Sequence, residues 1–260
     1  MKIRFNFNHF INITSVLILT SNIYSQGSAG SSAKYESRYI VDMPTAGLLQ
    51  KGIFSGFGNV YAGGGIMGEF SAAPFKDINI GISYSGNNII GQGEPVWQGI
   101  PGFHARWRFY DETIYYPALL IGVNSQGKGV YDKSTKRFQT LSPGAFIAAS
   151  KTYKNFIGVV SFHVGVNYSF EPKPEKRSVN CYLGFEQSFA SVASFNIEYN
   201  SNLDEKDKIM MNEQGLLNAS FSWNMARNIT IELQARDILK HYQHSIGFTR
   251  VLSLEYISMF

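Results

Sequence analysis

The residues that could carry chemistry in this sequence occur at every second position of several segments. In the stretch FHARWRFY, His104, Arg106 and Arg108 alternate with mostly large apolar residues. Nine ionisable side chains share such a polar phase: His104, Arg106, Arg108, His163, Glu186, Glu198, Glu232, Arg236 and Glu255. Both signs of charge are present, which leaves two interpretations open. The nine form either a network of ion pairs that fills a narrow interior or the polar lining of a channel that selects its solute.

Patterns typical of catalysis or metal binding are weak. His241 and His244 follow Asp237, but nothing in their spacing joins a nucleophile to a base. A metal would need further ligands beside this His-x-x-His pair, and none stands out. The three glycines at 63–65 are not followed by the Lys-Ser/Thr of a phosphate loop. We therefore expect no catalytic residue, no metal and no cofactor, and we predict that the protein is not an enzyme.

The elements that position the nine side chains have the period of β-strands. Apolar and polar residues alternate through 78–85, 103–110 and 160–171, and again in most segments of the second half. Three segments that are rich in Gly and Ala, 52–62, 66–73 and 145–153, alternate less cleanly, and their faces stay unassigned. Together the pattern predicts about twelve strands.

Two features favour a membrane barrel over a soluble sandwich. The apolar faces carry large aromatic residues in strand after strand, whereas a sandwich must fit both inner faces into a layer about 10 Å thick. Short connections also alternate with longer ones, as in outer-membrane barrels with short periplasmic turns and long outer loops. We predict an all-β fold, a closed antiparallel up-and-down transmembrane β-barrel of about twelve strands.

Composition agrees with this class of protein. Only 16% of the 260 residues are charged, while 15% are aromatic. A typical soluble domain has about 25% charged residues. The net charge of +4 is too small and too scattered to predict a nucleic-acid partner. A single cysteine excludes a disulfide framework within the chain.

The two ends of the sequence predict export. Residues 1–25 have the layout of a secretory signal peptide, with Lys2 and Arg4 before a short apolar run. We divide the rest into a short periplasmic N-terminal lead, 26–50, and an outer-membrane β-barrel, 51–260. The terminal Phe260 resembles the signal that such barrels present to the outer-membrane insertion machinery, which we therefore expect as a partner. Outer-membrane lipid is a further expected partner, as is lipopolysaccharide, whose phosphates suit the net basic loop 128–137.

Four stretches of the first half of the chain have a distinctive sequence: PTAGLL at 44–49, INIGISYSGNNIIGQG at 78–93, PALLIGVNSQG at 117–127 and LSPGAFIAASKTY at 141–153. In these stretches the chain resembles the YjbH-like outer-membrane β-barrel proteins of Gram-negative bacteria. The resemblance implies a bacterial outer-membrane location and a link to exopolysaccharide production or export. It supplies no catalytic motif.

We predict an outer-membrane barrel that acts in polysaccharide export or as a small channel. Three alternatives stay open from the sequence alone. The first is a structural barrel with a plugged polar interior, and the second is a barrel hydrolase that modifies lipid A. The third is a secreted soluble β-sandwich, which has the same alternation of apolar and polar residues.

Overall fold

Strands make up all the regular secondary structure that a computed structural model of the chain describes. The described residues are 36–172, 178–189, 192–205, 213–226, 228–242 and 248–259. The strands are β1 (Ile53–Tyr61), β2 (Gly65–Phe75), β3 (Ile78–Asn87), β4 (Val96–Trp97), β5 (Gly102–Tyr110), β6 (Ala118–Asn124), β7 (Lys128–Asp132), β8 (Arg137–Thr140), β9 (Gly144–Lys154), β10 (Gly158–Tyr168), β11 (Asn180–Phe189), β12 (Ala193–Asn200), β13 (Leu216–Ala226), β14 (Ile229–Arg236) and β15 (Thr249–Met259). Among the described residues, no helix is long and apolar enough to cross a membrane.

Twelve of the strands close into a ring. Every neighbouring pair is antiparallel, in the order β1, β2, β3, β5, β6, β9, β10, β11, β12, β13, β14 and β15. The first and last strands close the ring, with Ile53 opposite Met259 and Val60 opposite Leu252. The predicted fold class, a closed antiparallel up-and-down barrel of about twelve strands, is thus confirmed.

The two faces of the barrel wall have opposite polarity. On β10, Phe162 and Val164 are 51% and 55% exposed on the outside, whereas His163 between them is 5% exposed. Phe162 lies opposite Phe185 of β11, and their ring centroids are 5.6 Å apart on the outer surface. Large side chains therefore face outward because the alternation of the sequence gives each strand one apolar face.

The connections are short at one end of the barrel and longer at the other. At the short-turn end they are 76–77, 111–117, 155–157, 190–192 and 227–228. At the long-loop end they are 62–64, 88–101, 125–143, 169–179, 201–215 and 237–248, of which only the first is short. Asp77 has a φ of 61° in the tight turn between β2 and β3, a conformation that Asp tolerates better than most residues.

A hairpin of residues 36–50, here called the luminal hairpin, occupies the interior of the barrel. Its arms are joined by a bridge between Tyr39 and Pro44, and the N–H of Ile40 donates to the carbonyl of Met43 over 2.9 Å. Residues 40–49 are all buried. A Cβ at Gly47 would lie 2.3 Å from the carbonyl oxygen of Ser37, so the close approach of the two arms requires glycine there.

We expected residues 26–50 to form a lead in the periplasm, but the luminal hairpin lies inside the barrel. The described part of that segment, 36–50, enters at the short-turn end and lies inside the wall. It carries no strand-like alternation, and its Pro and Gly residues make it look like a linker in the sequence. Its place is instead determined by long-range contacts, which a local pattern does not contain.

A second hairpin, β7–β8, lies over the long-loop end and is here called the mouth hairpin. Thr140 Oγ1 lies 2.6 Å from the hydroxyl of Tyr242, which belongs to the loop on the opposite side of the ring. Arg137 forms a buried ion pair with Glu205 of a third loop. Lys128 and Arg137, two basic residues of the loop expected to meet lipopolysaccharide, are therefore turned inward, with 5% and 3% exposure.

Candidate functional site

The interior of the barrel holds all nine side chains that the sequence places in the polar phase. Strand β5 supplies His104, Arg106 and Arg108, and five further strands of the ring supply the others: His163 from β10, Glu186 from β11, Glu198 from β12, Glu232 and Arg236 from β14, and Glu255 from β15. Seven of them lie between two apolar neighbours on their strand, whereas Glu186 is followed by Gln187 and Arg236 by the buried Asp237. Six of the nine contact the luminal hairpin directly, namely Arg106, Arg108, Glu186, Glu198, Arg236 and Glu255. His163 and His104 contact residues that bind it.

The tip of the luminal hairpin is bound by one carboxylate. Glu198 Oε2 accepts hydrogen bonds from the N–H groups of Val41, Asp42 and Met43 over 3.0, 2.8 and 2.8 Å. Its Oε1 accepts a fourth from Asn218 Nδ2 over 2.9 Å. Glu198 is fully buried. Hydrogen bonds to an ionised acceptor are roughly twice as strong as neutral ones, so this contact fixes the tip in place.

Two ion pairs join the hairpin to neighbouring strands β14 and β15. Asp42 Oδ1 lies 2.7 Å from Arg236 Nη2, and both side chains are buried. Arg38 forms an ion pair with Glu255. Because each buried charge has a partner of opposite sign, the desolvation that burial costs is offset within each pair.

The arginines of β5 bind the entering arm of the hairpin, residues 36–39. Arg108 Nη1 lies 2.6 Å from Glu36 Oε2, which also accepts the N–H of Leu48 over 2.8 Å. Arg106 Nη1 donates to the carbonyl of Arg38 over 2.7 Å, and its guanidinium lies 4.3 Å from the ring centroid of Tyr39. Arg108 Nη1 also donates to the carbonyl of Ala46 over 3.4 Å, so one face of the lumen holds both arms through cationic side chains.

Tyr39 connects the luminal hairpin with the mouth hairpin. Its hydroxyl donates to Glu69 Oε2 over 3.3 Å and accepts from Asn124 Nδ2 over 3.1 Å. Lys128 Nζ of β7 lies 4.6 Å from the centroid of the Tyr39 ring, within the range of a cation–π contact. The two hairpins therefore meet inside the barrel, where they occlude it from opposite ends.

The base of the mouth hairpin rests on a loop carboxylate. Glu171 accepts the N–H of Phe138 over 2.8 Å and the N–H of Ser142 over 2.5 Å. Burial raises the pKa of the Glu171 carboxyl above its ordinary value, although these hydrogen bonds act in the opposite direction. The carboxylate form is thus the more costly one to bury at this point.

Serine, histidine and glutamate meet twice on the lumen wall. Ser150 Oγ lies 2.8 Å from His163 Nδ1, and His163 Nε2 lies 3.6 Å from Glu186 Oε2. Ser150 Oγ also accepts the N–H of Ala46 over 2.9 Å, so the hairpin covers this hydroxyl.

In the second set, which consists of Ser71, His104 and Glu69, the serine hydroxyl donates to the glutamate and not to the histidine. Ser71 Oγ lies 3.2 Å from His104 Nε2 but donates to Glu69 Oε1 over 2.9 Å. A hydroxyl has one proton to donate, so this histidine does not receive it. Both sets act as hydrogen-bond networks that fill the wall, and the sequence spacing of their members had given no sign of either.

An apolar patch on the inner wall receives the hairpin. Ala46 and Leu48 pack against four inward side chains of β6 and β9: Ala118, Leu120, Phe146 and Ala148. Alternation predicts polar side chains on the inner faces, so it does not identify these apolar residues. A signal was present, because PALLIGV and GAFIAAS are apolar at successive positions, as in strands that are buried on both faces.

A second apolar contact lies near the tip. Ile40 and Met43 pack against Tyr182 of β11, whose hydroxyl donates to the carbonyl of Pro44 over 2.9 Å. Burying a side chain of this size contributes roughly 1.5–3 kcal/mol. The wall is therefore shaped for the hairpin by apolar packing as well as by charge.

The closed ring, the apolar exterior and the polar interior define the class of this protein as a transmembrane β-barrel, porin-like in architecture, with an occluded lumen. Within the described ranges no group of three or more His, Cys, Asp or Glu side chains could hold a metal ion. His244 and Phe260, which the sequence analysis considered, lie outside the described residues.

Comparison with known proteins gives structural likeness only. No family model matches the chain, and no curated protein matches it. Among solved structures, the chain is similar to the KdgM porin, with 8% identity, a TM-score of 0.48, and coverage of 80% of this chain and 99% of that one. It is also similar to the NanC porin, with 9% identity, a TM-score of 0.42, and the same coverage of both chains. A mutant of the Rh. blastica porin follows at 9% identity and a TM-score of 0.33, covering 75% of this chain and 55% of that one.

Proposed function

We propose that the protein is a bacterial outer-membrane channel for small hydrophilic solutes, and that its structure is the closed state. The observation that carries the proposal is the polar inner wall, several of whose charged groups bind a segment of the chain inside the barrel. Arg108, Arg236 and Glu198 each bind the luminal hairpin directly. Without the hairpin these groups would line an aqueous passage, as charged rings do in membrane pores.

The apolar exterior supports the membrane location. Phe70, Phe103 and Leu254 are between 51% and 58% exposed, on three different strands. Soluble monomers rarely expose contiguous apolar surface of this extent. Hydrocarbon is the natural neighbour of such a band, and a closed barrel satisfies all the backbone polar groups within it.

A second candidate is a purely structural barrel. The packing of Leu48 against Leu120 and Phe146 favours it, because an apolar inner patch suits permanent occupancy. In that case the hairpin is a core element that never leaves, and the lumen conducts nothing.

Recordings in planar bilayers separate the two candidates. The full chain and a variant that lacks residues 36–49 are inserted, after each has shown heat-modifiable migration in SDS gels as evidence of a folded barrel. A channel predicts stepwise conductance, with larger and more persistent steps for the variant without the hairpin. If both folded proteins fail to conduct, the channel proposal is wrong and the structural barrel remains.

We also propose that the channel takes part in exopolysaccharide export, which the resemblance to the YjbH-like proteins implies. The matching experiment compares exopolysaccharide in the medium from cells with and without the gene. A reduced yield that the intact protein restores supports this cargo. An unchanged yield, together with conductance of small ions, limits the function to a small channel.

A further inference from the structure

We propose that the luminal hairpin is a gate that leaves the lumen as one unit toward the short-turn end, and that Glu198 is the latch that holds it closed. This inference rests on the proposed channel function. It adds the direction of movement, the pivot and the residue that sets the balance between closed and open states.

The direction follows from where the hairpin is attached. Leu49 lies near the short-turn end, where its N–H donates to Asn79 Oδ1 at the start of β3 over 2.7 Å. The tip lies at the other end of the lumen, where Asp42 meets Arg236 in the last position of β14. The mouth hairpin covers that end, with Lys128 against Tyr39. Withdrawal toward the short turns is therefore the unobstructed path.

The pivot is the junction between the hairpin and β1. Gly52 has a φ of +82°, and a Cβ built on it would have no atom within 4 Å. The N–H of Gly52 donates to the carbonyl of Ala73 and that of Ile53 to the carbonyl of Gln50. Glycine can take up the change in φ and ψ that a swing of the hairpin requires.

The hairpin can move as a unit because it is held together by its own contacts. The N–H of Thr45 donates to the carbonyl of Arg38 over 3.1 Å, and the N–H of Leu48 donates to Glu36 over 2.8 Å. Both bonds join the two arms and lie within the hairpin itself. A hairpin that moves as a unit has two discrete positions, inside and outside the lumen, and a switch requires two such states.

Glu198 is the latch because one side chain holds three consecutive backbone donors at the tip. The amides of Val41, Asp42 and Met43 all converge on its Oε2. Removal of its charge weakens all three bonds at once, whereas loss of any other wall contact weakens fewer. The carboxylate stays solvated after the hairpin leaves, since Asn218 already bonds its second oxygen and water can replace the amides.

A cysteine pair tests the gate in the full chain. Ala46 and Ser150 are in direct contact, with 2.9 Å between the amide nitrogen and Oγ. A46C and S150C are combined with C181S, which removes the native thiol on the outer surface. Bilayer recordings are made before and after oxidation, and mass spectrometry verifies the disulfide. We expect openings before oxidation and loss of nearly all of them afterwards.

The latch has its own variant and a matched control. E198Q should raise the fraction of time spent open by roughly tenfold. E112Q makes the same chemical change in a buried carboxylate that binds Lys151 over 3.0 Å, away from the hairpin, and should leave that fraction unchanged.

The outcomes separate the gate from the channel. If conductance is equal before and after verified oxidation, the channel stands and the gate is wrong. If E198Q opens no more often than E112Q, Glu198 is not the latch. If neither the cysteine variant nor the variant without residues 36–49 conducts, the proposed function fails, and the gate fails with it.

Discussion

Asp42 and Arg236 form an ion pair inside the barrel, with 2.7 Å between Oδ1 and Nη2, although one belongs to the N-terminal segment and the other to β14. Both side chains are almost inaccessible to water. The pair shows that the luminal hairpin and the wall are complementary in charge at the deepest point of insertion. The hairpin is therefore an integral part of the folded barrel.

Substitution of one member of this pair should be costly. Asp42→Ala leaves the Arg236 guanidinium buried without its carboxylate, which costs about 3–5 kcal/mol in similar cases. Urea titration of the protein in vesicles measures the loss in the free energy of unfolding. The double variant D42A/R236M removes both charges and should recover part of the loss. An additive loss in the double variant would show that the two residues do not interact.

A charge on the outer surface should impair insertion. Phe162→Arg places a cation on the lipid side of β10, at a cost of roughly 2–4 kcal/mol near the middle of the bilayer. Ser222→Arg is the control, because Ser222 is partly exposed and lies on the inner face of β13, opposite Glu232. The measurement is the fraction of protein that folds into vesicles, read as the heat-modifiable band. Equal folding of the two variants would mean that the faces are assigned incorrectly.

The outer face was the part of the fold that sequence analysis could predict well. Alternation assigns Phe162 and Val164 to one face and His163 to the other, and the structure agrees. The period of two is a local property of a strand, and a strand with lipid on one side and a polar lumen on the other shows it in its sequence. Strand number and topology follow from the same pattern.

The content of the lumen was harder to predict. Asn167 has the pattern of a channel-lining residue, yet it is 3% exposed and donates to the carbonyl of Pro143 over 3.0 Å. Which inner residues are buried depends on the segment that fills the lumen. The contacts of Glu198 with residues 41–43, for example, join parts of the chain that are far apart in sequence. Periodicity contains no information on such pairs. The ion-pair network that we weighed against a channel lining is present, but its partners come largely from the hairpin.

Truncation of a hairpin side chain should loosen the hairpin. Leu48→Ala removes most of the contact with Leu120 and Phe146, and large-to-small changes at buried sites cost about 2–5 kcal/mol. Leu254→Ala on the outer face is the control, since its side chain is 53% exposed to the lipid side. Urea titration should show the larger loss for Leu48→Ala. The reverse order would place the hairpin outside the barrel.

The mouth hairpin should be held more tightly at acidic pH. Because burial raises the pKa of Glu171 in the folded protein, the unfolded loop ionises first as the pH rises. Stability that is present below the ordinary glutamate pKa is therefore lost between that value and the raised one. Hydrogen exchange of the amides of 137–142, corrected for intrinsic rates, should show this loss of protection.

The variant Glu171→Gln removes the titrating group and serves as the control. Its single amide oxygen keeps an acceptor for one of the two N–H groups, because Phe138 and Ser142 bind different oxygens of Glu171. Its corrected protection should be constant over the same pH range. A pH dependence that persists in Glu171→Gln would assign the effect to another group.

The central claim, that residues 36–50 lie inside the barrel, is tested most directly by hydrogen exchange of the intact protein in vesicles. The amides of Val41, Asp42 and Met43 donate to Glu198. The amide of Ala46 donates to Ser150, and that of Leu49 donates to Asn79. We predict that peptides covering 40–49 exchange as slowly as those of the barrel strands. Exchange at the rate of an unstructured chain, while the strands stay protected, would contradict the claim.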